Sequence, residues 1–172
     1  SAKVIPAVVE FVDIAGLVRG ANKGEGLGNQ FLSHIRDVAA IAHVIRVFKN
    51  DEIIHVENSV DPLRDMEIIK TELILKDLET VEKRLSKAES EAHTGKKELI
   101  EQFEILKLIK KTLEEGKTTA QFNDKPIMKE LQLLTSKPIV YLLNGSEVDV
   151  PINLLDVIKK EGSSYVVLDI VN

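Results

Sequence analysis

Cysteine is absent from this chain of 172 residues, so neither a disulfide nor a thiolate metal site can hold it together. That absence fits a reducing compartment. Tryptophan is absent too, and aromatics make up only 4% of the chain against 30% charged residues. The core must therefore be aliphatic, and the charge suits long solvated helices. No apolar run approaches the ~20 residues of a membrane-spanning helix. The net charge of −5 gives no global basic footprint for nucleic acid and leaves only local patches. Ser1-Ala2-Lys3 lacks the charged-then-apolar layout of a secretion signal, which points to the cytoplasm. The missing initial methionine points to a processed or excised piece. The length allows one domain with a core, or one domain carrying an insertion.

The most informative stretch runs from Val8 to Val18. Val8-Val9-Glu10-Phe11-Val12-Asp13 is predicted to be a buried strand, because four of its residues are strongly β-prone. It ends on a carboxylate, with Gly16 three residues later and a loop carrying Gly20, Gly24, Gly26 and Gly28 beyond. At the end of a strand in a nucleotide-hydrolysing α/β domain, Asp13 could hold a magnesium ion. Gly16 would let a backbone N–H approach a terminal phosphate with no Cβ in the way. The loop is either a flexible surface segment or a switch that orders around phosphate and metal. Gly24-x-Gly26-x-Gly28 is not a dinucleotide fingerprint, since the last glycine would fall at Asn29.

From Asn29, the spacing of Phe31, Ile35, Val38 and Ala42 predicts a helix. Residues 42–48 read as a second strand, so strand, helix and strand form a parallel crossover. His34 beside the helical stripe is more in keeping with surface or packing than with a ligand. Asp61-Pro62 predicts a helix start, with Asp61 as N-cap and Pro62 at the first position. Residues 64–92 carry Ile74, Leu78, Val81, Leu85, Ala88 and Ala92 at coiled-coil spacing. After a break at 93–97, a second helix places Leu99, Phe103, Leu106, Ile109 and Leu113 on one face. Together they predict an antiparallel hairpin, either a spacer or a docking arm.

Gly116-Lys117-Thr118 imitates the end of a phosphate-binding Gly-x-x-x-x-Gly-Lys-Ser/Thr loop, but position 111 is lysine and the triplet follows a helix. Gly116 reads instead as the end of the second arm. A further helix is expected over 124–134, a buried strand over 137–143, a short helix over 154–160 and a last strand over 165–170. The strand before Asn144 delivers Asn144-Gly145-Ser146-Glu147 to a loop, a group able to read a purine base by hydrogen bonds. Asn144-Gly145-Ser146 also matches a glycosylation acceptor, which the missing secretion signal discounts.

Three stretches carry a family resemblance: FVDIAGLVRGANKGEGLGNQFLSHIRDVAAIAHVIRVF, HVENSVDPLRDMEIIKTELILKDLETVEKRL and LLTSKPIVYLLN. Over most of residues 3–144 the chain resembles the Obg-like ATPases, the YchF subfamily of P-loop GTPase-like proteins. The resemblance implies an α/β, P-loop NTPase fold: a G-domain-like, mostly parallel sheet with an inserted antiparallel helical coiled-coil hairpin. It divides the chain into 1–62 (first part of the G-like domain), 63–122 (insertion) and 123–172 (second part). It makes Asp13 the magnesium element and Gly16 the γ-phosphate element of switch II. Leu17 stands where Ras-type GTPases have a catalytic glutamine, and leucine cannot orient water, so no catalytic residue is identified. Asn144, Ser146 and Glu147 take the base-specificity position. Gly145 and Glu147 depart from the guanine-reading pattern, and the longer carboxylate arm should fit guanine poorly, in line with the family's preference for ATP over GTP.

The resemblance also implies ATP (or GTP) as substrate, magnesium as cofactor and the ribosome as partner. The family's P-loop and its C-terminal TGS domain have no counterpart here, and the sequence after Glu147 diverges. The parent protein is expected to hydrolyse nucleotide and this chain alone to be inactive. The alternative is a non-catalytic module whose hairpin binds a protein or RNA through Lys83, Arg84, Lys87, Lys96 and Lys97 near its tip.

Overall fold

The computed structural model describes residues 8–12, 35–36, 38–48 and 60–169. Its longest element begins where a side chain first satisfies an orphan helix donor. The Asp61 carboxylate accepts from the Arg64 N–H at 3.1 Å, and Pro62 takes the first helical position, as expected. Helix α1 (Pro62–Ala92) then runs 31 residues, or about 46 Å at the α-helical rise. It turns through His93, Thr94, Gly95 and Lys96 into α2 (Lys97–Glu114). Gly95, at φ 77°, takes the left-handed conformation that the turn requires. The predicted seam is the real one: Ile74, Val81 and Ala88 are buried against Leu106, Ile109 and Leu113, with Leu78, Leu85 and Phe103 packed alongside. Lys110 bridges to Glu82 across the two helices at 2.9 Å. Gly116, at φ 72°, ends α2 as expected, its N–H bonding the Leu113 carbonyl.

The sheet has three parallel strands in the order β1 (Ile41–Arg46), β2 (Ile139–Asn144), β3 (Ser164–Leu168). Register pairs His43 with Tyr141 and Tyr165, and Ile45 with Leu143 and Val167. These residues face the helices. Ile45, Tyr141 and Leu143 form a core with Met66 of α1 and with Leu154 and Ile158 of α4 (Ile152–Lys160). The other face is open among the described residues, with Val44, Val166 and Leu168 at 56%, 45% and 41% exposure.

Three expectations need correction. Residues 8–12 form no strand and are not buried, with Val8 and Phe11 at 91% and 80% exposure. β-Propensity creates no strand without a ladder partner, and none of these residues pairs with the sheet. Asp13 lies outside the described residues. The helical stripe from Phe31 to Ala42 is also cut short. Ile35 and Arg36 are helical, but Val38 is not, and Ala42 sits in β1 with its side chain exposed. Phe31 and His34 lie outside the described residues. Finally, the helix expected over 124–134 shrinks to α3 (Ile127–Leu131).

That last difference has a specific cause. Gln132 turns left-handed at φ 46°, and residues 134–136 form a 3-10 turn instead. The turn is held by Asp77 of α1, which is 1% exposed. Its carboxylate accepts from the Leu134 N–H at 2.8 Å, the Thr135 N–H at 2.8 Å and the Thr135 hydroxyl at 2.7 Å. Burial pushes the Asp77 carboxyl upward, against the pull of these donors and of Arg36. Asp77→Ala would leave two buried amides without acceptors and is expected to cost about 3 kcal/mol. Urea unfolding would show this as a lower midpoint at unchanged slope.

His43 supplies a pH signature. Burial lowers its imidazole from 6.5 to about 4, against the opposing pull of Asp65. Above pH 6.5 both folded and unfolded chains hold it neutral. As pH falls towards 4, the unfolded chain takes up a proton that the folded chain refuses, so stability is lost. The loss has a limiting slope of about 1.4 kcal/mol per pH unit. His43→Phe is expected to remove that component, read as the difference between the two urea-midpoint profiles over this range.

Candidate functional site

In open parallel sheets, ligands bind beyond the carboxyl ends of the strands. The central strand β2 ends there on Asn144, which stands in register between Arg46 of β1 and Leu168 of β3. Two backbone bonds fix the chain as it leaves. The Val47 N–H donates to the Asn144 carbonyl at 2.9 Å, and the Gly145 N–H donates to the Leu168 carbonyl at 2.9 Å. Gly145 is buried at φ 146°, where L side chains are rarely found. A Cβ there would meet Val47 Cγ2 at 2.7 Å and the Phe48 nitrogen at 3.2 Å. Glycine is thus required by close approach as well as by φ.

The next turn is tied locally. The Ser146 hydroxyl donates to the Asp149 carboxylate at 2.6 Å, and the Asp149 N–H returns to the Ser146 carbonyl at 3.0 Å. Residues Glu147–Asp149 form a 3-10 turn with Glu147 exposed. Val148 and Ile152, at 92% and 78% exposure, form an apolar flank to it. On the β1 side, the Arg46 guanidinium lies 4.5 Å from the Phe48 ring centroid and its Nε donates to the Phe48 carbonyl at 3.1 Å.

The structure thus brings Asn144, Ser146 and Glu147 to one end of the central strand. Asp13, Gly16 and Leu17 lie outside the described residues. Among the described residues no three His, Asp or Glu side chains are grouped to hold a metal. Sequence reasoning missed Arg46, Phe48 and Asp149. The available signal for Arg46 was a charge closing an apolar strand, and for Asp149 a carboxylate three residues after a serine.

A family model described as a 50S ribosome-binding GTPase matches residues 2–145. The chain belongs to the 50S ribosome-binding GTPase family. Ribosome-binding ATPase YchF of Bacillus subtilis (strain 168) is 50% identical over 152 residues, covering 86% of this chain and 42% of that protein. Obg-like ATPase 1 of Oryza sativa subsp. japonica is 47% identical over 150 residues, covering 84% and 38%. The solved Schizosaccharomyces pombe YchF GTPase superposes with a TM-score of 0.68 at 37% identity, covering 86% of this chain and 44% of that one. The chain spans less than half the length of these relatives. The resemblance to YchF and Obg-like ATPases is therefore confirmed, as is the α/β P-loop NTPase fold with its parallel sheet. The GTPase family match ends at residue 145, within the Asn144–Glu147 turn.

The fit around Gly145 is testable. Gly145→Ala is expected to destabilise the chain by about 2 kcal/mol through overpacking and backbone strain. Val47→Ala removes the nearest obstructing atom. The double variant should therefore lose less than the sum of the single losses in urea unfolding.

Proposed function

We propose that this chain is part of a YchF-type ATPase that hydrolyses ATP, and GTP less well, with magnesium, and that associates with the ribosome. The observation that carries this is the Asn144–Glu147 turn at the carboxyl end of the central parallel strand, in a chain of this family. Asn144, Ser146 and Glu147 would contact the base, with the Glu147 arm too long to suit the N1 and N2 donors of guanine. The exposed flank of Val148 and Ile152 supports the same reading, since a base needs an apolar face to rest on. Asp13 would hold magnesium, which supplies charge neutralisation at the transferring phosphate when bound, and Gly16 would approach the γ-phosphate. Leu17 leaves water positioning to another group. The chain divides in this reading at 62 and 122: residues 1–62 and 123–172 form the nucleotide-binding unit, and 63–122 the inserted arm.

Hydrolysis by these 172 residues alone is not expected. They contain no complete Gly-x-x-x-x-Gly-Lys-Ser/Thr stretch, whose amides and lysine supply most phosphate affinity. Titration with fluorescent ATP and GTP analogues, with and without magnesium, is expected to show no saturable binding at micromolar concentrations. Magnesium-dependent binding or turnover would overturn the inactivity of the chain. ATP preferred over GTP would still support the base-reading assignment, and GTP preferred would refute it.

A second reading is carried by the hairpin. Lys83, Lys87, Lys96 and Lys97 are exposed on it. Arg84 drops out of the expected patch, because it is engaged with Glu130 at 2.7 Å and Glu91 at 3.0 Å. We take the four lysines as a contact for ribosomal RNA. Reversing all four to glutamate should abolish co-sedimentation with ribosomes, and wild-type association should weaken steeply with salt. Salt-independent co-sedimentation would refute RNA contact through this patch.

A further inference from the structure

Helix α1 serves two bodies. Its first half packs on the sheet through Met66, and its second half packs in the hairpin core through Val81 and Ala88, a cluster that also takes in Ile127, Met128 and Leu131 of α3. The arm leaves the sheet in the turn from Asp77 to Thr80, and three separate chain segments meet there. The Arg36 guanidinium donates to the Thr80 hydroxyl at 2.9 Å. The Lys137 ammonium donates to the carbonyls of Arg36 at 2.8 Å and Val38 at 2.7 Å. Asp77, one turn before Thr80, holds the Leu134–Ser136 turn that leads into β2. Beneath this polar layer Ile35, Leu73 and Leu134 form a buried cluster of their own.

Residues 35, 36 and 38 therefore lie as a strap across the point of departure. One end is bonded to the arm and the backbone is gripped by the residue that introduces the central strand. Neither bond is needed to build the hairpin, which has its own core and its own Lys110–Glu82 bridge. Neither is needed for the strand ladder.

We propose that this strap is an orientation lock: Arg36 on Thr80, with Lys137 gripping the strap, holds the helical arm at one angle to the sheet. Loss of the lock leaves both bodies folded and lets the arm sample a wider range of angles about the Asp77–Thr80 turn. The strap begins at Ile35, seven positions after Gly28, the last glycine of the glycine-rich stretch. Control of the lock by bound phosphate would rest on the switch reading of that stretch, whereas the lock itself needs no nucleotide.

The absence of cysteine permits a clean test. Spin labels at Lys96→Cys on the hairpin tip and Lys159→Cys on α4 report the arm-to-sheet distance in the nucleotide-free chain by pulsed electron resonance. The locked chain is expected to give one narrow distribution. Arg36→Met with Lys137→Met should at least double its width, with the helical circular dichroism unchanged. Thr80→Val, which removes the hydroxyl that accepts from Arg36 together with its own 3.2 Å bond to the Lys76 carbonyl and keeps the side-chain shape, should broaden it in the same direction, and it stands alone if the double variant fails to fold. An unchanged distribution in Thr80→Val overturns the lock. The absence of nucleotide keeps this outcome separate from any failure of the ATPase reading.

Discussion

One buried carboxylate governs how the two halves of the chain meet. Asp77 sits midway along a helix whose own hydrogen bonds are complete, so its oxygens are free to satisfy a different segment. They take two backbone amides and a hydroxyl from residues 134 and 135. Thr135 is bonded in turn to Thr119, hydroxyl to hydroxyl at 2.9 Å, so the segments before and after α3 are drawn to the same point. An ionised acceptor with three short donors is among the stronger polar arrangements available, and its desolvation is the opposing term. The direction of the Asp77 shift says that burial is the larger of the two for the carboxyl itself. The gain is geometric. Residues 133–137 must enter the sheet at one height, which sets the register of β2 between its neighbours and hence the level at which Asn144 emerges.

At the other end of β2 the constraint is steric. Asn144 and Gly145 are gripped from both sides by backbone bonds to Val47 and Leu168. A grip of that kind works only where the chains approach more closely than a side chain allows, which is why glycine follows the asparagine. In the family pattern for guanine readers this position carries a lysine. Here a side chain would have to displace Val47 and Phe48, and Phe48 is itself pinned by Arg46. The departure at Gly145 and the packing of the β1 exit are therefore one adaptation, with this end of the sheet built from backbone proximity.

Much of this was legible in the sequence where pattern and physics coincide. Asp61-Pro62, the coiled-coil seam and the Gly116 stop are all local signals satisfied by local partners, and they appear where the spacing put them. The strands around Ile45 and Leu143 were legible because an aliphatic run bounded by turn residues has few other uses. What failed was non-local. The β-prone run at 8–12 has propensity but no ladder partner. The apolar spacing at 124–134 is helical, yet Asp77, 57 residues before Leu134, captures the amides of Leu134 and Thr135 for a different turn. The stripe from Ile35 to Ala42 mixes two elements, because Val38 and Ala42 happen to continue a helical period after the helix has ended. At the site, Asn144 and Glu147 could be named from their place after a strand. Arg46 carried only the weaker signal of a charge closing an apolar strand, since its relation to Asn144 exists only through sheet register.

The distribution of apolar clusters decides how the arm can act. The hairpin core and the sheet core share no buried residue, and α1 alone contributes to both. A helix is stiff along its axis, so the continuous backbone carries force between the two bodies. It resists bending less well where only one face is supported. The small cluster of Ile35, Leu73 and Leu134 packs on α1 at the level where Ile74 enters the hairpin core. Three apolar side chains are too few to fix an angle on their own, and the polar strap above them adds direction to what burial supplies in energy. Charged residues on the arm are consumed in the same way. Arg84 and Lys110 bind the arm to itself and to α3, which leaves the exposed lysines facing outward. The arm is thus stiff in itself, continuous with the sheet along one helix, braced by α3, and oriented by contacts at its root, the arrangement required if it is to present those lysines to a partner at a defined angle.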